Sequence, residues 1–330
     1  MKPHLEAMTS RRNFLRNTGL TLSGGMLVGV LPKPVFAAMP GMQSAPAAPD
    51  RVAQMRAAGA KAKLTTTKLR GNIYSIMGSG GNMAALAGSD GKVLIDSSFS
   101  TTAPQLKEAL AGISADPLKL LINTHWHFDH TDGNEAVHDT GALILAHVNT
   151  RKRMSTPQEL AVLGMHFAPS PSAALPQIVF ADTEHLDLNG EQLHLAHYAP
   201  AHTDTDIFIH FMQANVIHTG DIWFNGIYPL IDYSSGGNIN GMIAAAETTL
   251  SMANNETIII PGHGPVSDKA TLQTYRDMLA TIRDRVRKLK SAGKSLDEVV
   301  ATKPTAEFDA KLGGGFFTGA QFTGLVYKTL

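Results

Sequence analysis

The 330-residue chain contains no cysteine. Disulfide frameworks, thiolate metal sites and cysteine nucleophiles are therefore excluded, and stability must come from packing. An excess of one charge is also lacking, since 28 Lys and Arg face 28 Asp and Glu. That balance gives no reason to expect nucleic acid as a partner. Long hydrophobic runs are missing as well. The most lipid-like stretch, Gly19 to Leu31, is shorter than the roughly 20 residues of a spanning helix. Gly24 and Gly25 interrupt it and Pro32 follows it, so no stable membrane span is expected.

What the amino terminus does carry is Ser10-Arg-Arg-Asn-Phe-Leu15 ahead of that uncharged stretch, with small residues around Val35-Phe-Ala37. This is the pattern of a twin-arginine export signal over residues 1–37, making the export machinery a partner and the periplasm or exterior the destination. Removing those residues takes away five basic side chains and one Glu, leaving 23 basic against 27 acidic groups and a formal charge of −4. Residues 38–66, with Ala, Pro and Gly prominent, read as a linker with a short helix near Arg51 to Ala60. The remaining 67–330 suffice for one large domain, its carboxy-terminal helices beginning near residue 268.

The chemistry is concentrated in Thr124-His-Trp-His-Phe-Asp-His130, directly after the apolar run Leu118-Lys-Leu-Leu-Ile122. His125, His127, Asp129 and His130 would crowd a short loop and need four separate hydrogen-bond partners in a purely structural role. A transition metal satisfies all of them. Three more ligand-type residues end apolar, strand-like runs: His202 in Ala201-His-Thr-Asp204, Asp221 in His218-Thr-Gly-Asp221, and His263 in Pro261-Gly-His-Gly-Pro265. Loops at strand ends are where α/β folds collect functional groups, so seven ligands are expected to converge on one edge.

This ordered set resembles the metallo-β-lactamase superfamily, whose signature is His-x-His-x-Asp-His followed by a His, an Asp or Cys, and a final His. The resemblance spans roughly Leu69 to Pro265. It implies two zinc ions, with His125, His127 and His202 on the first, Asp129, His130 and His263 on the second, and Asp221 between them. Histidine and carboxylate ligands suit zinc, and also iron or manganese. Zinc lowers the pKa of bound water to about 7, so hydroxide becomes available for attack on a carbonyl, with Asp129 orienting the water. Asp96, ending Lys92-Val-Leu-Ile-Asp96, is expected either to brace a ligand histidine or to close the turn at Ser97-Ser98.

Alternating strand patterns and helices of 3.6-residue period fit an α/β fold, an αββα sandwich of two mixed sheets flanked by helices. Strands are expected at Leu69 to Met77, Asn82 to Ala87, Lys92 to Asp96 and Ala142 to Ala146, with a meander over Ile178 to His218. Helices are expected at Pro104 to Ile113, near Pro157 to Leu163, at Asn240 to Met252 and after Ser267, where Leu272, Tyr275, Leu279, Ile282, Val286 and Leu289 share a face. Met165 to Gln177 reads as a mobile loop. His138, His147, His185, His194, His197, His210 and His218 lie outside the ligand pattern and are expected to be packed or surface groups.

The functional expectation is a hydrolase for a small β-lactam, lactone, ester or thioester. Asp221-Ile-Trp-Phe-Asn225 departs from β-lactamases that pair a Cys ligand with a Lys three residues on, and the Asp looks more like glyoxalase-type thioesterases and lactonases. Glyoxalase-type thioesterase and iron-dependent sulfur dioxygenase remain the alternatives. The export reading is checked by Arg11→Lys with Arg12→Lys, which should leave precursor in the cytoplasm on fractionation; normal export would remove the twin-arginine assignment.

Overall fold

Strands form where β-branched and leucine runs are bounded by Gly, Asn and Asp turns, and the alternation of their side chains sets the layers. The computed structural model describes residues 50–330; Arg11, Arg12 and the rest of the export signal, with the first part of the linker, lie outside the described residues. In chain order the amino-terminal half comprises α1 (Arg51–Gly59), β1 (Thr65–Lys68), β2 (Ile73–Met77), β3 (Met83–Leu86), β4 (Lys92–Ile95), α2 (Ala103–Ile113), β5 (Leu118–Ile122), α3 (Phe128–Thr131), α4 (Asn134–His138), β6 (Leu143–His147) and α5 (Val148–Met154). Then come β7 (Gln158–Leu160), β8 (Met165–Phe167), β9 (Ile178–Phe180), β10 (Thr183–Leu188), β11 (Glu191–His197), β12 (Ile207–Phe211) and β13 (Val216–His218). The chain continues through α6 (Ile239–Met252), β14 (Ile258–Ile260), α7 (Lys269–Ser291), α8 (Leu296–Ala301), α9 (Ala306–Leu312) and α10 (Gly319–Thr329).

Two mixed sheets result, ordered β1-β2-β3-β4-β5-β6-β9 and β10-β11-β12-β13-β14. In the first, β1 to β4 are antiparallel neighbours, whereas β4, β5, β6 and β9 run parallel. In the second, β10 to β13 alternate and β14 runs parallel to β13. Ile73, Leu86, Val93, Ile95 and Ile122 of one sheet meet Leu193, Leu195, Ile207, Ile209 and Val216 of the other. The opposite face of the first sheet packs Ile76, Leu94 and Leu121 on Leu106 and Leu110 of α2. That of the second packs Phe208, Ile217 and Ile259 with the helical residues Ile243, Leu279 and Phe322. This is the αββα sandwich the sequence leads one to expect.

Several boundaries differ from expectation. No helix forms at Pro157 to Leu163: the helix is α5, and β7 pairs with β8 in a separate two-stranded hairpin. Pro157 disfavours helix at the preceding residue, and Gly164, with φ +63°, supplies the turn. The loop expected from Met165 to Gln177 accordingly starts as β8 and continues through a 3₁₀ turn at Ser172–Ala174. Of the strand expected from Leu69 to Met77 only Ile73–Met77 forms, as β2; Leu69 to Asn72, with Gly71 at φ +59°, make the turn that joins it to β1. The helix expected near Arg51 is α1, capped by Asp50 and tied to the domain by Arg56, whose Nη2 lies 2.5 Å from Asp132 Oδ1. Among the described residues no helix is long and apolar enough to cross a membrane.

The carboxy-terminal helices are anchored by Phe322, fully buried, whose ring stacks on Tyr228 at 4.7 Å between centroids. Tyr228 Oη donates to Asp309 Oδ1 at 2.8 Å. Phe322→Ala should lower unfolding free energy by roughly 3–5 kcal/mol, read from urea titration; a loss under about 1 kcal/mol would mean that this contact is dispensable.

Candidate metal centre

Parallel β4 and β5 end on the same edge, as do β11, β13 and β14 in the facing sheet, so side chains just past those ends meet across the sandwich. The edge is stitched by the Ile207 amide donating to Thr124 O (2.9 Å) and the Asn82 amide donating to Gly262 O (2.7 Å). Asn82 also donates through Nδ2 to Pro261 O and Gly264 O at 2.9 and 2.7 Å. His125, His127, His202 and Asp221 form one group of potential ligands there, and Asp129, His130 and His263 another, with donor atoms within 4.8 Å of one another in each group. Asp221 faces both: its Oδ1 is 3.1 Å from His130 Nε2 and its Oδ2 3.5 Å from His202 Nε2. All seven residues singled out in the sequence are thus brought together.

Four of the five imidazoles are held by the nitrogen that points away from the centre. His130 Nδ1 donates to Asp96 Oδ2 at 2.7 Å. His125 Nδ1 lies 3.0 Å from Thr124 Oγ1, which donates in turn to Asp96 Oδ2 at 2.7 Å. His127 Nε2 donates to Asp232 Oδ2 at 3.1 Å, and His202 Nδ1 to Leu230 O at 2.8 Å. Of the two roles expected for Asp96, bracing is therefore the observed one. It adopts a left-handed backbone, φ +59°, a conformation Asp tolerates and one that clusters at functional sites.

These outer bonds assign the tautomers and leave inward lone pairs with nothing to receive. His127 Nδ1 and His202 Nε2 stand 2.9 Å apart, both as acceptors. His125 Nε2, His130 Nε2 and Asp221 Oδ1 are buried without any hydrogen-bond partner. Unpaired buried polar atoms are costly, and lone pairs facing at contact distance more so. A cation among them removes both costs. The donor set, imidazole and carboxylate without sulfur, fits a divalent transition metal.

The charges agree. Burial opposes ionisation of Asp129, yet His130 and His263 outweigh it and hold its carboxyl at about 2. Asp221 likewise lies well below the ordinary carboxylate range, because His263, His130 and His125 overcome its burial. Burial also opposes charge on His263, but Asp221 and Asp129 lift it to about 9. His202 goes the other way, burial lowering it to about 4. The centre thus keeps two carboxylates ionised and draws in positive charge.

Sequence reasoning missed Asp232 and Asp206. Asp232 ends the apolar run Leu230-Ile231, the same signal that marked Asp96. Asp206 accepts the amides of His202 and Thr203, both at 2.8 Å, and burial pushes its carboxyl up to about 7 against those bonds. Histidines outside the pattern are occupied elsewhere: His218 Nε2 lies 3.1 Å from Asn82 O, and His147 stacks on His197 at 3.9 Å. Trp223 and Phe224 are buried, and Phe224 also stacks on His263 at 4.9 Å. His166 lines a neighbouring cavity of about 530 Å³ rather than the metal centre.

Comparison with known proteins agrees with this geometry. The family model described as "Metallo-beta-lactamase superfamily" matches residues 77–280, more than half of the chain. Hydroxyacylglutathione hydrolase GloC of Haemophilus influenzae is 29% identical over 151 residues, covering 44% of this chain and 69% of that protein. The probable metallo-hydrolase YqgX of Bacillus subtilis is 24% identical over 168 residues, covering 49% and 76%. Among solved structures, the sec-alkylsulfatase Pisa1 from Pseudomonas superposes with a TM-score of 0.63 at 18% identity, over 81% of this chain and 50% of its own. The chain therefore spans about half the length of that sulfatase. A metallo-beta-lactamase from Pontibacter korlensis gives 0.53 at 20% identity, over 66% and 99%. At these identities the structures attest to the fold alone.

Gly81 shows how tightly the centre is packed, since a Cβ there would stand 2.0 Å from His130 Cε1. Gly81→Ala should displace His130 from Asp96 and weaken metal retention against a chelator by about ten-fold or more, with circular dichroism unchanged; unaltered retention would show that His130 is not a ligand.

Proposed function

The chain belongs to the metallo-beta-lactamase superfamily and is a metallo-hydrolase, and we propose that it is a binuclear zinc enzyme that cleaves a small carbonyl substrate outside the cytoplasm. The observation that carries the reading is the pair of facing lone pairs on His127 and His202, 2.9 Å apart, beside the unpartnered His130 Nε2 and Asp221 Oδ1. In this reading His125, His127 and His202 hold one ion, Asp129, His130 and His263 the other, and Asp221 both. When bound, such ions supply Lewis acidity toward the carbonyl oxygen and a water acidified to a pKa of about 7.

The chain's own groups do the rest. Asp129 lines the cavity over the cluster and is ionised at neutral pH, so it can accept a proton of the attacking water and aim its lone pair at the substrate carbon. Asp96 and Asp232 orient the rings of His130 and His127 and take the outward N–H of each, so that His130 Nε2 and His127 Nδ1 are the nitrogens offered to a metal. Leu230 O does the same for His202. Phe224, stacked on His263, limits bulk water on that side.

Export is supported by the twin-arginine pattern at Arg11 and Arg12. A thioesterase reading draws on the hydroxyacylglutathione hydrolase relative. Elemental analysis of the mature protein should find two zinc ions per chain, and a chelator should abolish hydrolysis of lactone, ester, thioester and β-lactam probes. Asp221→Ala should lower the ratio from two toward one. Unchanged stoichiometry would sink the shared-ligand role, and one iron per chain without hydrolysis would favour the sulfur dioxygenase.

A further inference from the structure

The cavity over the candidate ligands is small, about 40 Å³ against about 530 Å³ for its neighbour. Its floor is the ligands; its walls are Met55 of α1, Leu160 and Leu163 of the β7–β8 hairpin, Phe224, Leu230 and Phe316. No Lys or Arg is among the described residues that line it. The neighbouring 530 Å³ cavity, separated from it by Phe128, does contain Arg56 and Arg153. Both are already engaged: Arg56 with Asp132 at 2.5 and 2.9 Å, and Arg153 with Asp204 at 2.5 and 2.7 Å.

Charge balance points the same way. Four buried or nearly buried carboxylates, Asp96, Asp129, Asp221 and Asp232, surround the cluster and would neutralise two divalent ions. The centre then holds no surplus positive charge for a substrate anion, and an unpaired carboxylate buried among these walls is unfavourable.

Resting on the hydrolase reading above, we infer that the substrate is an uncharged ester or lactone with an apolar acyl chain, held under Met55, Leu163 and Phe316. Phe316 is the most exposed part of the roof. It follows Gly313-Gly-Gly315, is 48% exposed, and meets His263 and Phe224 only edge-on, at 5.5 and 6.3 Å. From this position the side chain would cover the acyl chain of a bound ester. In the reaction, water adds to the acyl carbon and the acyl C–O bond breaks. The alkoxide leaves with one proton of the water, and the other is released as the carboxylate forms. Substrates that carry a carboxylate, β-lactam drugs and glutathione thioesters among them, are disfavoured.

The test uses the zinc-loaded mature protein, p-nitrophenyl esters from acetyl to octanoyl, and esters of matched length ending in a carboxylate. Expected is a rise in kcat/KM of about four-fold per methylene over the first additions, with carboxylate-ended esters about 100-fold poorer than their methyl-ended partners, the size of a lost burial of one charged end. Calorimetry with uncleavable alkan-2-ones should show the same order in Kd. Leu163→Ala with Phe316→Ala should reduce the increment to under about two-fold per methylene while metal content stays constant. A flat dependence on chain length in both assays, or a preference for the carboxylate-ended series, overturns the inference. Alkanone binding with the expected increments but no turnover of any ester would instead sink the hydrolase reading and leave the apolar pocket standing.

Discussion

Five imidazoles and two carboxylates crowd into one buried volume, and the repulsion between facing imidazole nitrogens there is the constraint to which the surrounding structure answers. It is sharpest between His127 Nδ1 and His202 Nε2, 2.9 Å apart, each prevented from carrying the shared proton because its other nitrogen donates outward. Were the rings free to turn, they would relieve the contact by rotating. They are kept in place by Asp232 and Leu230 O, as His130 is by Asp96, and those partners lie on segments distant in sequence. Cations among these groups would relieve the repulsion, so that metal binding would favour the folded state.

The sandwich supplies the rigidity. Parallel pairing of β4 with β5 and of β13 with β14 sends four strand ends to one edge, and the antiparallel β11–β12–β13 run brings His202 to the same edge. A core of alternating side chains holds the sheets face to face. Backbone bonds between Ile207 and Thr124 and between Asn82 and Gly262 then fix their separation where the ligands project. Close approach at this edge leaves no room for side chains: a Cβ on Gly262 would lie 1.9 Å from Asp221 Oδ1.

Above that polar floor the character changes abruptly to aliphatic and aromatic. α1, the β7–β8 hairpin and the glycine-rich loop before α10 contribute apolar residues to the roof, and none is part of the two-sheet frame. The polar floor and the apolar roof therefore come from different parts of the molecule. The candidate ligands lie within residues 77–280, the segment the family model matches, whereas Met55 and Phe316 of the roof lie outside it.

The cluster was legible in the chain because four of its members share one motif after an apolar run and the other three each follow such a run, and a polar group at the end of a strand is recognisable without knowing which strands are neighbours. Asp96 was legible in part for the same reason, though its partner was not. The sandwich architecture followed from period-2 and period-3.6 patterns, which encode burial directly. Asp232 carried the same strand-end signal but no ligand motif, and its role depends on a distance to His127, over 105 positions of chain, that no periodicity encodes. The β7–β8 hairpin was misread as a helix because a short mixed segment has no decisive period, and its packing beside the site settles its form. The roof was invisible for a related reason: Met55, Leu163 and Phe316 are ordinary apolar residues in sequence, and only the tertiary structure brings them together over the cluster.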